Sequence, residues 1–94
     1  MKERLYEKDL RVAVESAGGL CLKLPSRLYR GIPDRLILLP GGRVFFVELK
    51  AERGRTSKVQ SAFRTFLRSI GFNSEVIRGK QEVEEFIQEH VSKR

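Results

Sequence analysis

The sequence has no tryptophan, a single cysteine, a single histidine and three prolines among its 94 residues. One cysteine, Cys21, excludes an internal disulfide. Its place in the apolar run Leu20–Leu24 reads as a small core residue in a reducing compartment. With His90 far from Cys21 in the chain, a zinc site and a cysteine nucleophile both lack partners. His90 lies beside the apolar stripe of a closing helix and reads as a partly buried structural residue. No Gly-x-x-x-x-Gly-Lys-Ser/Thr segment is present, so nucleotide hydrolysis has no motif and no nucleotide cofactor is expected. No apolar run approaches the roughly 20 residues that span a bilayer. The charged start Met-Lys-Glu-Arg-Leu-Tyr-Glu-Lys lacks the apolar segment of a secretion signal. These absences predict an intracellular protein that is neither secreted nor held in a membrane.

Acidic residues are outnumbered. Twelve Asp and Glu stand against nineteen Lys and Arg, for a net charge of +7 and a pI near 10.1. In a small domain that balance points to a polyanionic partner, most often nucleic acid. A hydrophobic fraction of 40% and a charged fraction of 33% are those of a globular protein. Residues 1–94 read as one domain, able to bury roughly two-thirds of its unfolded surface.

Lys2 to Ala17 reads as a helix, with Tyr6, Leu10, Ala13 and Ala17 on one face and Leu5 and Val14 widening the stripe. Gly18-Gly19 supplies its stop. Leu20 to Leu24 is a short strand, ended by Pro25. Ser57 reads as the N-cap of a long helix, with Gln60 at the capping-box position and Val59, Ala62, Phe63, Phe66, Leu67 and Ile70 as its buried stripe. Gly71 ends that helix. Phe72 to Ile77 is a last strand and Gln81 to His90 a closing helix, with Ser92-Lys93-Arg94 expected to fray. The order α-β-β-β-α-β-α predicts an α/β or α+β sandwich around a mixed sheet.

The stretch from Gly31 to Lys50 organises the rest. Leu36 to Leu39 and Val44 to Leu49 are apolar runs separated by Pro40-Gly41-Gly42, which reads as a β-hairpin. Both faces are apolar, as in strands at the centre of a sheet covered on both sides. A two-residue Gly41-Gly42 loop would point Asp34 away from Glu48. A three-residue loop makes opposing residue numbers sum to 82 and sets Asp34 across from Glu48. Pro40 suits the first central position of a type I turn and Gly42 the left-handed position after it, which favours the three-residue loop. Lys50 then shares the face of both carboxylates. Opposed Cβ atoms lie about 5 Å apart, within the span of one divalent cation. Two carboxylates suit Mg²⁺ or Mn²⁺. Such an ion lowers the pKa of a bound water and stabilises charge on a phosphate, and the lysine can orient that water. The bland alternative is a surface Glu48–Lys50 pair with Asp34 merely ending a loop.

Gly31-Ile32-Pro33-Asp34, followed by Glu48-Leu49-Lys50, resembles the PD-(D/E)XK nuclease superfamily. The intact Gly-x-Pro-Asp, with Ser57 and Gln60 downstream, is similar to the VRR-NUC family in its short, stand-alone, virus-type form. The resemblance covers nearly the whole chain. It implies a restriction-endonuclease-like αβββαβ core with a C-terminal helix. It further implies that Asp34, Glu48 and the Leu49 carbonyl bind the metal, that Lys50 is catalytic and that Gln60 completes the site. An acidic residue on the first helix also joins in that family, and Glu7 is the best match. The implied activity is metal-dependent hydrolysis of DNA phosphodiesters. The implied substrate is branched DNA such as a Holliday junction, met by a homodimer in the cytoplasm of a bacterial or virus-infected cell.

Two basic loops flank the proposed site in sequence. Arg27, Tyr29 and Arg30 lie in the first, and Arg53 and Arg55 in the second. With Lys58, Arg64 and Arg68 on the long helix, these are the candidate nucleic-acid contacts, Tyr29 by stacking and the others by charge. Gly31 and Pro33 read as architectural, for a close backbone approach and a fixed φ before Asp34. Two other functions remain open: a same-fold nuclease acting on flaps, nicks or linear duplex, and a non-catalytic DNA-binding module.

Overall fold

The computed structural model describes residues 3–92, with side chains from Tyr6 to Ser92. Lys2, expected to open the first helix, the Leu5 side chain, expected in its stripe, and Lys93–Arg94, expected to fray, lie outside the described residues. Helix α1 (Glu3–Ser16) leads into strand β1 (Leu20–Lys23), and a single 3-10 turn (Ser26–Leu28) precedes the hairpin β2 (Arg35–Leu39) and β3 (Arg43–Lys50). Helix α2 (Lys58–Ser69) crosses to β4 (Asn73–Arg78), and α3 (Gly79–Phe86) runs into a π turn (Ile87–Val91). The order β1-β2-β3-β4 makes the hairpin the centre of the sheet. β1–β2 and β2–β3 are antiparallel, and β3–β4 are parallel. That parallel pair requires a crossover, which α2 supplies.

The hairpin register follows the three-residue loop: Arg35 faces Val47, Ile37 faces Phe45, and Leu39 faces Arg43. The turn type differs from the expected one. Gly41 has φ +84°, whereas the corresponding residue of a type I turn sits near −90°; a positive φ there is the mark of type II, which also takes Pro at the position before. Loop length, and therefore register, is unaffected.

Side chains alternate across the sheet, and the two faces are covered unequally. Ile37, Leu39, Phe45, Val47, Leu49 and Ile77 point to one face and form the core with Leu10 and Val14 of α1 and Val83 and Phe86 of α3. Leu10, Val14, Ile37, Val47 and Val83 are completely buried; truncating one of the larger ones to Ala would cost about 2–5 kcal/mol. The opposite face carries α2, which packs along β4 and ties to it through Arg68 Nε and the Ser74 carbonyl at 2.9 Å. There Leu36, Leu38, Val44 and Phe46 are only half-buried. The expectation of strands covered on both sides is met on the α1/α3 face and half met on the other. Of the stripe expected to be buried on α2 only Leu67 is buried, with Ala62, Phe66 and Ile70 exposed because the helix covers only part of that face.

Helix ends follow their sequence signals. Gly19 N–H reaches the Val14 carbonyl and Gly18 N–H that of Glu15, a Schellman end at the expected Gly18-Gly19. α2 closes the same way, from Phe72 to Leu67 and Gly71 to Arg68. α3 begins two residues before Gln81, because the Glu82 carboxylate accepts the Arg78 N–H at 2.7 Å and anchors the first turn there. His90 stacks near Phe45 and Phe86, with ring centroids 4.8 and 5.0 Å away, in the structural position expected of it. Among the described residues no helix is long and apolar enough to cross a membrane.

Candidate active site

Asp34 ends the loop before β2 and Glu48 lies near the end of β3, on the face that carries α2. Their carboxylates interlock through the backbone. Asp34 N–H donates to Glu48 Oε1 at 3.1 Å, and Leu49 N–H donates to Asp34 Oδ1 at 3.0 Å. Each acid is thereby fixed by the strand that bears the other. This arrangement needs the register that sums to 82.

The second oxygen of Glu48 gathers two more donors. Gln60 Nε2 lies 3.0 Å from Oε2 and Lys50 Nζ 3.3 Å from it. Gln60 does this while capping its own helix: its Oε1 accepts the Ser57 N–H at 2.9 Å, and Ser57 Oγ accepts the Gln60 N–H at 3.1 Å. The amide has an oxygen for the cap and an NH₂ for the carboxylate, so only one orientation satisfies both. Gly31 helps set the helix start. It has φ +84°, and a Cβ there would lie 2.7 Å from the Val59 side chain and carbonyl, so the loop before Asp34 presses on the first turn of α2.

Asp34 is held from its other side by Arg35, which sequence reading passed over. Arg35 Nη1 lies 3.2 Å from Asp34 Oδ2 and donates to the Asp34 carbonyl at 3.1 Å. Its alternation puts it on the core face, where it is 7% exposed. The signal was a charged residue opening an apolar strand at a core-facing position. Glu7 meets this group and not the carboxylate pair: its Oε2 lies 3.8 Å from Arg35 Nε and 3.6 Å from Arg11 Nε. Among the described residues no three His, Cys, Asp or Glu side chains come close enough to hold one metal ion. The donor set at Asp34 and Glu48 is nevertheless chemically suited to one. It offers two adjacent carboxylates, all oxygen, which is the preference of a hard divalent cation.

Beside Lys50 and Gln60 opens a cleft of about 420 Å³ lined by Arg30, Arg55, Ser26, Ser57 and Val59, among others. Arg30 and Arg55, from the two basic loops, thus converge on the cleft beside Lys50 and Gln60. The second loop is pinned by a further unanticipated residue, Arg78, whose Nε donates to the Gly54 carbonyl at 2.8 Å. Arg27, Arg53 and Lys58 are exposed nearby in the chain. Tyr29 is also exposed, its ring 5.4 Å from that of Phe63. Arg64 turns toward Ser61 Oγ at 3.5 Å, and Arg68 commits its Nε to the Ser74 carbonyl. The groove along α3 has the opposite character, with Glu52, Glu84, Glu85 and Glu89 outnumbering Lys80 in its lining. Excess positive charge is therefore absent from the α3 side and present around the cleft.

Cys21 packs against the core. Burial pushes its thiol up to about 11, against a smaller lowering by Arg35.

The chain resembles known nucleases over most of its length. A solved structure described as a VRR_NUC domain superposes with a TM-score of 0.84 and 30% identity, over 94% of this chain and 96% of that one. The putative nuclease p44 of Acyrthosiphon pisum secondary endosymbiont phage 1 is 37% identical over 71 residues, 76% of each protein. The chain belongs to the VRR-NUC nuclease family. The Fanconi-associated nuclease 1 homolog of Arabidopsis thaliana is 34% identical over 89 residues, spanning 81% of this chain but 10% of that much longer protein. No family model matches the chain.

Proposed function

We propose that this VRR-NUC protein is a metal-dependent endonuclease that hydrolyses DNA phosphodiesters, acting as a homodimer on branched DNA. The observation that carries the reading is the interlocked Asp34–Glu48 pair with Lys50 and Gln60 on the free side of Glu48. Asp34, Glu48 and the Leu49 carbonyl are the groups that would hold Mg²⁺ or Mn²⁺. When bound, such an ion supplies an acidified water and neutralises charge on the phosphate.

The chain's own groups do the rest. Backbone N–H groups fix one oxygen of each carboxylate, which holds the orientation of both acids. Lys50, beside Glu48 and on the wall of the cleft, donates to the attacking water or to a phosphate oxygen. Gln60 holds Glu48 against rotation. Arg30 and Arg55 draw the strand to the cleft by its phosphates, and the acidic groove along α3 turns DNA away from the opposite side.

The dimer reading has its own support. Leu20 and Leu22 on β1, Tyr29, Phe66, Ile70 and Phe72 are all between 41% and 63% exposed. Leu20 and Leu22 pair with Leu38 and Leu36 on the sheet face that α2 leaves half-covered. Six such side chains, each with on the order of 100 Å² to lose, offer roughly 600 Å², near the scale of one side of a specific interface. A second copy seated there would bring two cutting sites to two strands.

The test is cleavage of labelled four-way junction and matched linear duplex in Mg²⁺, Mn²⁺ and EDTA. Paired, symmetric cuts in the junction that require metal are expected. Equal cutting of linear duplex, flaps and nicks would leave a nuclease without branch preference, and binding without cutting in either metal would mark a DNA-binding module.

A further inference from the structure

Arg35 is a buried cation flanked by two acids on different elements. Its Nη1 sits on both the carboxylate and the carbonyl of Asp34, while its Nε faces Glu7 of α1 at 3.8 Å. That Nε makes no hydrogen bond. Glu7 is shared between Arg35 and Arg11, and Arg11 in turn lies 3.9 Å from Glu15. An alternating chain of charge, Glu15–Arg11–Glu7–Arg35–Asp34, therefore runs from the surface of α1 to the carboxylate pair.

We infer that Glu7 acts on the site through Arg35, as a positioning residue that sets how firmly the guanidinium holds Asp34, and not by touching a bound cation. The physical basis is competition. A guanidinium and a divalent cation both seek Asp34, and like charges at contact distance in a partly buried site oppose each other strongly. Glu7 offers Arg35 an alternative partner, 3.8 Å from a buried Nε that makes no hydrogen bond. Its negative charge draws the guanidinium away from Asp34 and offsets the repulsion that a cation there would meet. Arg is suited to the part because the donors of its planar fork point in fixed, separate directions, toward Asp34 on one side and Glu7 on the other. The inference rests on the metal-binding reading of Asp34 and Glu48.

The test is a double-mutant cycle read by Mn²⁺ binding, through calorimetry or the paramagnetic resonance of free Mn²⁺, without DNA. Glu7→Gln should weaken Mn²⁺ binding roughly tenfold in the wild-type background and less than about twofold beside Arg35→Gln, within the range of coupling between contacting residues. Should Arg35→Gln fail to fold, Arg35→Leu, which removes the charge and suits the buried position, carries the same comparison. An equal loss in both backgrounds would overturn the inference and make Glu7 a ligand in its own right; no loss in either would also overturn it. Wild-type protein that binds no Mn²⁺ would instead bring down the metal reading beneath it.

Discussion

Gln60 donates its Nε2 to Glu48 Oε2 at 3.0 Å while its Oε1 accepts the backbone N–H of Ser57, joining a helix cap to a carboxylate of the site. The two halves of one amide are separable by mutation. Gln60→Glu keeps an acceptor for the Ser57 N–H but replaces the donor to Glu48 with a second negative charge. It should fold with a melting temperature near that of the wild type and lose most cleavage. Ser57→Ala should do the reverse, costing about 1 kcal/mol of stability with cleavage little changed at temperatures where it is folded. Melting curves and cleavage rates, taken on both variants, check the pair; cleavage by Gln60→Glu at the wild-type rate would reduce Gln60 to a cap.

Asp34→Asn preserves shape and the acceptor for the Leu49 N–H but removes the charge. Divalent-ion binding should fall by about a hundredfold or more, the upper reach of a supporting group and the least expected of a ligand. Calorimetric titration with Mn²⁺ reads it, and an unchanged isotherm would remove Asp34 from the ion's coordination.

The basic residues divide by what already engages them. Arg55 lines the cleft, so Arg55→Ala should flatten the dependence of log affinity on log salt by roughly 0.9 for duplex DNA, the share of one phosphate. Arg68 is tied to the Ser74 carbonyl, so Arg68→Ala should lower stability and leave that slope alone. DNA-binding isotherms at several salt concentrations distinguish the two.

The uncovered half of the sheet predicts self-association. Sedimentation should give about twice the 10.8 kDa of the chain, and Leu22→Glu or Phe66→Glu should return the monomer without loss of secondary structure. A monomeric wild type at micromolar concentration would contradict the dimer.

Cys21 gives a pH dependence with a definite sign. Its thiol is pushed from 9.0 to about 11 by burial, so the folded state keeps it neutral where the unfolded chain ionises. That contribution is fully present below pH 9 and is lost progressively as pH rises through about 11. Alkylation near pH 8 should accordingly be much slower in folded than in unfolded protein; equal rates would contradict the burial.

Much of this was legible in the sequence because it depended on spacing. The length of the Pro40-Gly41-Gly42 loop decides whether Asp34 and Glu48 meet, and Ser57 and Gln60 at capping-box spacing announce where α2 begins. Turn type was less legible: Pro40 suits types I and II alike, and the glycine at position 41 permits the positive φ without demanding it. Arg35 was missed because its neighbours Leu36 to Leu39 define a strand without it, and only tertiary packing shows that its charge is buried between Asp34 and Glu7. The bare half of the second sheet face was hidden for a related reason. An apolar strand looks the same in sequence whether a helix or a second copy covers it.

The most direct test of the nuclease assignment is cleavage of labelled DNA by wild type and Lys50→Ala side by side, in Mn²⁺ and in EDTA. The wild type should cut in Mn²⁺ alone, and Lys50→Ala, folded and still binding DNA, should not cut at all. Cutting by Lys50→Ala at the wild-type rate, or by the wild type in EDTA, would contradict the account.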